Sequence, residues 1–161
     1  GKEKAVPDAI RFLKGLALQL SRLTDMPLAV PEKVQIAKYA PGTGYRHHQD
    51  NSLLAFRKES DSAEYTRTTN DRCFTAILYT NTAWSPEDGG ALRFYGSRKP
   101  KASHLELKAG DVQDVAPIGG RLIIFDSFYW HEVMPPTSRD RYAMTLWINR
   151  VPKWLSLDLL A

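Results

Sequence analysis

Near the start of the chain, Ala9, Leu13, Leu16, Leu20 and Leu23 recur at helical spacing, with Arg11, Lys14, Gln19 and Arg22 between them. This pattern predicts one amphipathic helix over about residues 7–24, with Pro7 and Asp8 in its first turn. Pro27 and Pro31 then punctuate the chain, and from Val34 the period shortens. Val34, Ile36 and Lys38 alternate with Gln35, Ala37 and Tyr39. Further short runs read as strands at 73–81, 91–95, 105–107, 111–115, 122–125 and 142–148. Pro41-Gly42 with Gly44, Gly89-Gly90, Ala109-Gly110, Gly119-Gly120 and Pro135-Pro136 separate them. Many short strands after a single helix predict a mainly β fold, an antiparallel sandwich or barrel rather than a parallel α/β sheet. The segment Ser52–Asp71 is different: polar, charged and weakly periodic. It reads either as a solvated insertion or as a lid over a site.

At 161 residues, 43% hydrophobic and 25% charged, the chain suits a single domain spanning 1–161. No apolar run approaches the roughly 20 residues that span a bilayer, so no membrane is expected. One cysteine, Cys73, allows no intramolecular disulfide. That favours a reducing, intracellular setting, cytoplasmic or nuclear. The net charge of +4 attracts acidic partners, but the basic residues are scattered and mark no nucleic-acid face.

Gly44-Tyr45-Arg46-His47-His48-Gln49-Asp50 carries the first chemical signal. In an extended chain His48 and Asp50 project to one face and can share a metal ion, while His47 points away. A third ligand must come from His104 or His131. His131 follows an apolar strand and precedes another, whereas His104 lies in a lysine-rich stretch that reads as surface. Two histidines and one carboxylate leave open positions, as in non-haem iron(II) oxygenases. A structural zinc site more often has four ligands and draws on cysteine. Arg141 opens a strand in which Arg141, Ala143, Thr145 and Trp147 share one face, and Tyr142, Met144, Leu146 and Ile148 the other. An arginine on an apolar strand needs an anion if buried. The carboxylate of a dicarboxylic oxoacid fits that need, as does solvent or a local acidic side chain. The same alternation groups Tyr79 with Cys73, Thr75 and Ile77.

The stretches 39–51, 72–84, 89–93, 131–135 and 141–147 together resemble the prolyl 4-hydroxylase family of Fe(II)/2-oxoglutarate oxygenases. They look closest to its intracellular, hypoxia-inducible-factor type. The resemblance implies a double-stranded β-helix, or jelly-roll, over about 33–150, with the helix buttressing the larger sheet. It implies that His48, Asp50 and His131 bind Fe(II). Arg141 would hold 2-oxoglutarate with help from the Tyr79 hydroxyl. Tyr45 would lie near the metal and the oxoacid, and Thr145 and Trp147 would line the pocket deeper in. The implied activity is hydroxylation of a prolyl residue in a protein or peptide, consuming dioxygen and 2-oxoglutarate and releasing succinate and carbon dioxide. Ascorbate is the implied reductant, and a monomer is expected. Ser52–Asp71 and the Glu132–Asp140 connection look longer than in the oxygen-sensing enzymes, which weakens transfer of substrate identity. Two other readings stand beside this one: a same-fold oxygenase acting on nucleic acid or a small molecule, and a non-catalytic β-barrel binding module.

Overall fold

Proline and glycine cut the chain beyond residue 24 into short extended segments, and the alternation within each segment sets which face it buries. A computed structural model describes residues 2–57, 64–95 and 112–151. The strand expected at 105–107, the Ala109-Gly110 turn and His104 lie outside the described residues.

The helix α1 runs Lys2–Thr24, starting earlier than the spacing predicts, so Pro7 lies inside it. Proline removes one backbone donor and clashes with the preceding turn. Around it residues 4–8 are all exposed, which leaves water to satisfy the freed carbonyl. Ala9, Leu13, Leu16 and Leu20 face the sheet as expected. Leu23 is 80% exposed and does not. It belongs to the last turn, beyond the sheet's reach.

Eleven strands follow among the described residues: β1 Leu28–Ala29, β2 Gln35–Tyr39, β3 Tyr45–His48, β4 Leu53–Arg57, β5 Glu64–Thr68, β6 Arg72–Tyr79, β7 Leu92–Tyr95, β8 Val112–Val115, β9 Leu122–Asp126, β10 His131–Val133 and β11 Arg141–Arg150. The major sheet has the order β1-β11-β6-β9, with β2 pairing the first half of β11. The minor sheet has the order β3-β10-β7-β8. All pairings are antiparallel, and the two sheets form the jelly-roll. Among the described residues no helix is long and apolar enough to cross a membrane.

β11 divides its side chains between two cores. Met144, Leu146 and Ile148 pack with Leu13 and Ala17 of α1, burying the helix against the outer face of the major sheet. Burial of each large aliphatic group there contributes about 1.5–3 kcal/mol. Ala143 points the other way, joining Ile77, Tyr79, Leu92 and Val133 between the sheets. The helix therefore stiffens the strand whose opposite face lines the interior.

Ser52–Asp71, read from its sequence as a solvated insertion or a lid, holds two strands among its described residues. β4 and β5 form a separate two-stranded hairpin, with Leu53 opposite Thr68 and Arg57 opposite Glu64. Leu53, Leu54, Arg67 and Thr68 at its base are exposed, and a ribbon outside the two main sheets is not held to their alternation, so its sequence carries little strand signal. The hairpin base is tied down by side chains. The Asn51 amide donates to the carbonyls of Asn70 and Arg72 at 3.1 and 2.7 Å, and Thr69 Oγ1 donates to Asn51 Oδ1. Asn70 Nδ2 reaches the Asp50 carbonyl at 2.9 Å.

Candidate functional site

β3 ends at His48, two residues before Asp50, so simple alternation brings the pair together only in part. The rest is done by β6, whose Thr75 Oγ1 donates to Asp50 Oδ2 at 2.6 Å. His131 opens β10 directly opposite His48 in the minor sheet. Ligand atoms of His48, Asp50 and His131 all lie within 4.8 Å of one another. Each imidazole Nε2 is 3.7 Å from a carboxylate oxygen, His48 from Oδ1 and His131 from Oδ2.

The far side of each ring fixes its tautomer. His48 Nδ1 lies 2.8 Å from the Arg46 carbonyl, and His131 Nδ1 lies 2.9 Å from that of Tyr129. A carbonyl only accepts, so Nδ1 carries the proton and Nε2 presents a lone pair. This is how ligating histidines are normally oriented. Burial pushes the His131 pKa below its ordinary value, against the Tyr129 carbonyl and Asp50. Burial works to raise the Asp50 carboxyl, but His48 and the Thr75 hydroxyl outweigh it and hold the group ionised. The Trp147 indole also favours that carboxylate, although Nε1 makes no hydrogen bond of normal geometry. Two imidazoles that turn Nε2 inward and one carboxylate suit a divalent first-row metal, and their donor set fits Fe(II).

His47 lies on the other side of β3, with its ring 5.6 Å from that of Trp130, and does not line the cavity. The Tyr45 ring sits edge-on to His48 at 4.5 Å and is 55% exposed, which places it at the mouth.

The cavity around the triad measures about 440 Å³, ample for a small dicarboxylate. Arg141, Ala143, Thr145 and Trp147 line one wall, as the alternation of β11 predicts. Arg141 is 1% exposed. Its Nε donates to the Gly90 carbonyl at 2.7 Å, and one terminal nitrogen donates weakly to the Tyr79 hydroxyl at 3.3 Å. Among the described residues no carboxylate pairs with it, and its burial removes the solvent alternative. Burial works against the charge on Arg141, but a guanidinium stays protonated in proteins; burial also pushes the Tyr79 pKa up to about 12, which keeps its hydroxyl neutral. A buried guanidinium with donors to spare is costly until an anion meets it. Gly90, at φ +67°, makes the Nε contact possible: a Cβ there would lie 3.1 Å from Arg141 Cδ and 3.2 Å from the Trp84 ring.

Alternation fails at one place. A bulge opposite Ile148 and Asn149 shifts the β6 register. Cys73 turns toward the helix-side core instead of joining Thr75 and Ile77. Arg72 instead lines the cavity, 4.1 Å above the Trp147 ring and 4.0 Å from Asp50 Oδ1. No periodic signal marks Arg72, because a bulge is invisible to a period-two reading. Gln35 and Gln49 also line the cavity and were likewise missed.

The 2OG-Fe(II) oxygenase superfamily model matches residues 34–149. No curated protein matches the chain. Among solved structures, a prolyl 4-hydroxylase from Pseudomonas putida is 29% identical with a TM-score of 0.66, covering 92% of this chain and 67% of that one. A prolyl hydroxylase from Trichoplax adhaerens, in complex with a hypoxia inducible factor oxygen degradation domain peptide fragment, is also 29% identical. Its TM-score is 0.57, and the match covers 80% of this chain and 48% of that one. A prolyl 4-hydroxylase from Phytophthora capsici, 21% identical, shares the fold with a TM-score of 0.62 over 95% of this chain and 49% of that one. The chain spans about half the length of the latter two. Equal identity to the first two does not single out the oxygen-sensing type.

Proposed function

Because the chain belongs to the 2OG-Fe(II) oxygenase superfamily, we propose that it hydroxylates a prolyl residue in a protein or peptide, working as one catalytic domain. The observation that carries the oxygenase reading is a buried Arg141 without a carboxylate partner among the described residues, in the cavity where His48, Asp50 and His131 converge. Bound Fe(II) supplies activation of dioxygen, coupled to conversion of 2-oxoglutarate to succinate and carbon dioxide. Around it, His48, Asp50 and His131 hold the metal through Nε2, a carboxylate oxygen and Nε2. Arg141 and Tyr79 bind the distal carboxylate, Thr145 and Trp147 wall the co-substrate in, and Tyr45 screens the mouth from water. Prolyl specificity draws support from the Pseudomonas putida and Trichoplax adhaerens structures, the second solved with a peptide. The net charge of +4 suits an acidic peptide.

The test is mass spectrometry of a panel of proline-containing peptides incubated with protein, Fe(II), 2-oxoglutarate and ascorbate. A gain of one oxygen on proline, dependent on 2-oxoglutarate, is the expected result. Succinate without peptide oxidation, together with oxidation of nucleic-acid or small-molecule substrates, would overturn the prolyl assignment and leave the oxygenase.

The β4–β5 hairpin leaves the site directly after Asp50, and its exposed Leu53 and Leu54 lie at that end. We assign it to the grip on the peptide. Deleting residues 55–66 while keeping the Asn51–Thr69–Asn70 base should lower kcat/KM for peptide by at least about tenfold. Peptide-free 2-oxoglutarate turnover should stay within about twofold, because metal and oxoacid contacts lie elsewhere. Equal loss of both would show that the hairpin supports the barrel.

A further inference from the structure

We propose that Ser127 is a positioning residue for the metal, acting through Thr75 to fix the orientation in which the Asp50 carboxylate is offered to the ion. The proposal rests on the metal-site reading above and deepens it. Ser127 is fully buried, and its Oγ lies 3.0 Å from Thr75 Oγ1. The direction of that bond follows from proton counting. Asp50 is an ionised carboxylate and only accepts, so Thr75 spends its single hydroxyl proton on Asp50 Oδ2. Thr75 must then accept at its other contact, and Ser127 donates. Chained hydroxyl bonds of this kind polarise one another in a dry interior, so the second strengthens the first.

The backbone of Ser127 holds both ends of the relay. Its N–H donates to the Cys73 carbonyl at 2.9 Å, fixing it to the strand that carries Thr75. Its carbonyl accepts the Asn51 N–H at 2.9 Å, fixing it to the turn that carries Asp50. The turn that leaves Ser127 supplies the Tyr129 carbonyl that orients His131. One short segment between β9 and β10 therefore sets two of the three ligands. With Oδ2 pinned by the hydroxyl, the carboxylate is held with Oδ1 3.7 Å from His48 Nε2 and Oδ2 3.7 Å from His131 Nε2.

Outer partners of metal ligands typically contribute roughly 10–100-fold in metal affinity. Thr75→Val, which removes the direct bond at nearly constant shape, should weaken Fe(II) binding to the metal-free protein by about that much. Binding is read anaerobically by quenching of tryptophan emission. Ser127→Ala, one bond further out, should weaken it by roughly 3–10-fold. In the Thr75→Val background, Ser127→Ala should add less than about twofold, because the relay is already cut. A role in packing alone would give the same loss in both backgrounds and overturn the proposal, as would unchanged affinity in Ser127→Ala. Should Ser127→Ala fail to fold, Ser127→Cys keeps the volume with a weaker donor and is expected to fall between wild type and the alanine effect. His131→Ala separates the two levels. If it binds Fe(II) as wild type does, the metal-site reading is wrong; if it loses the metal while Ser127→Ala does not weaken it, only the relay is wrong.

Discussion

His131→Ala is expected to abolish Fe(II) binding and 2-oxoglutarate turnover, while His47→Ala leaves both within about twofold of wild type. Losing an outer partner of a ligand already costs roughly 10–100-fold in affinity, and losing one of three ligands costs more. His131 is 3% exposed, its Nδ1 is fixed by Tyr129, and its Nε2 faces Asp50. Among the described residues no other histidine is placed to substitute, since His47 projects to the other side of β3 toward Trp130. Anaerobic titration with Fe(II), with a melting curve to confirm folding, decides the matter. Loss of metal in His47→Ala but not in His48→Ala would mean that the β3 register is one residue out.

The second large effect is expected at Arg141. Arg141→Lys keeps the charge but loses the planar fork and the Nε bond to the Gly90 carbonyl. A hydrogen bond to a charged partner is worth about 1.5–3 kcal/mol, so 2-oxoglutarate affinity should fall roughly 10–100-fold. Tyr79→Phe removes one neutral donor and should cost about 0.5–1.5 kcal/mol. Titration calorimetry of the Fe(II)-loaded protein under nitrogen measures both. Unchanged affinity in Arg141→Lys would move the anchor elsewhere. Arg93 is a poor substitute, because its Nε and one terminal nitrogen donate to the Asp114 carboxylate at 2.8 Å and it does not line the cavity.

How legible each part was depended on whether a periodic signal carried it. The two faces of β11 were readable because a buried central strand obeys a strict period of two. Hence Arg141, Thr145 and Trp147 could be placed on one wall beforehand, and the structure puts them there. His131 was found by elimination among four histidines together with the family resemblance. The hairpin was not found, because it pairs apart from the two main sheets and its polar, charged sequence has no regular apolar alternation. Arg72 was hidden by a bulge, and Ser127 by its plainness: a buried serine between strands has no pattern of its own. What made Ser127 visible was the count of protons around Asp50, which only coordinates supply.

The burial of Arg141 bears on how long the protein lasts as well as on what it binds. A buried guanidinium without a carboxylate partner among the described residues weakens the native state, and on the proposed anchoring 2-oxoglutarate removes that penalty. A ligand that binds only the folded chain adds about 2.7 kcal/mol at a concentration 100 times its dissociation constant. β11 carries this charge on one face and the helix-packed core on the other. On the proposed anchoring, co-substrate is therefore expected to reduce how often the strand opens to a protease, read as slower proteolysis in the presence of 2-oxoglutarate.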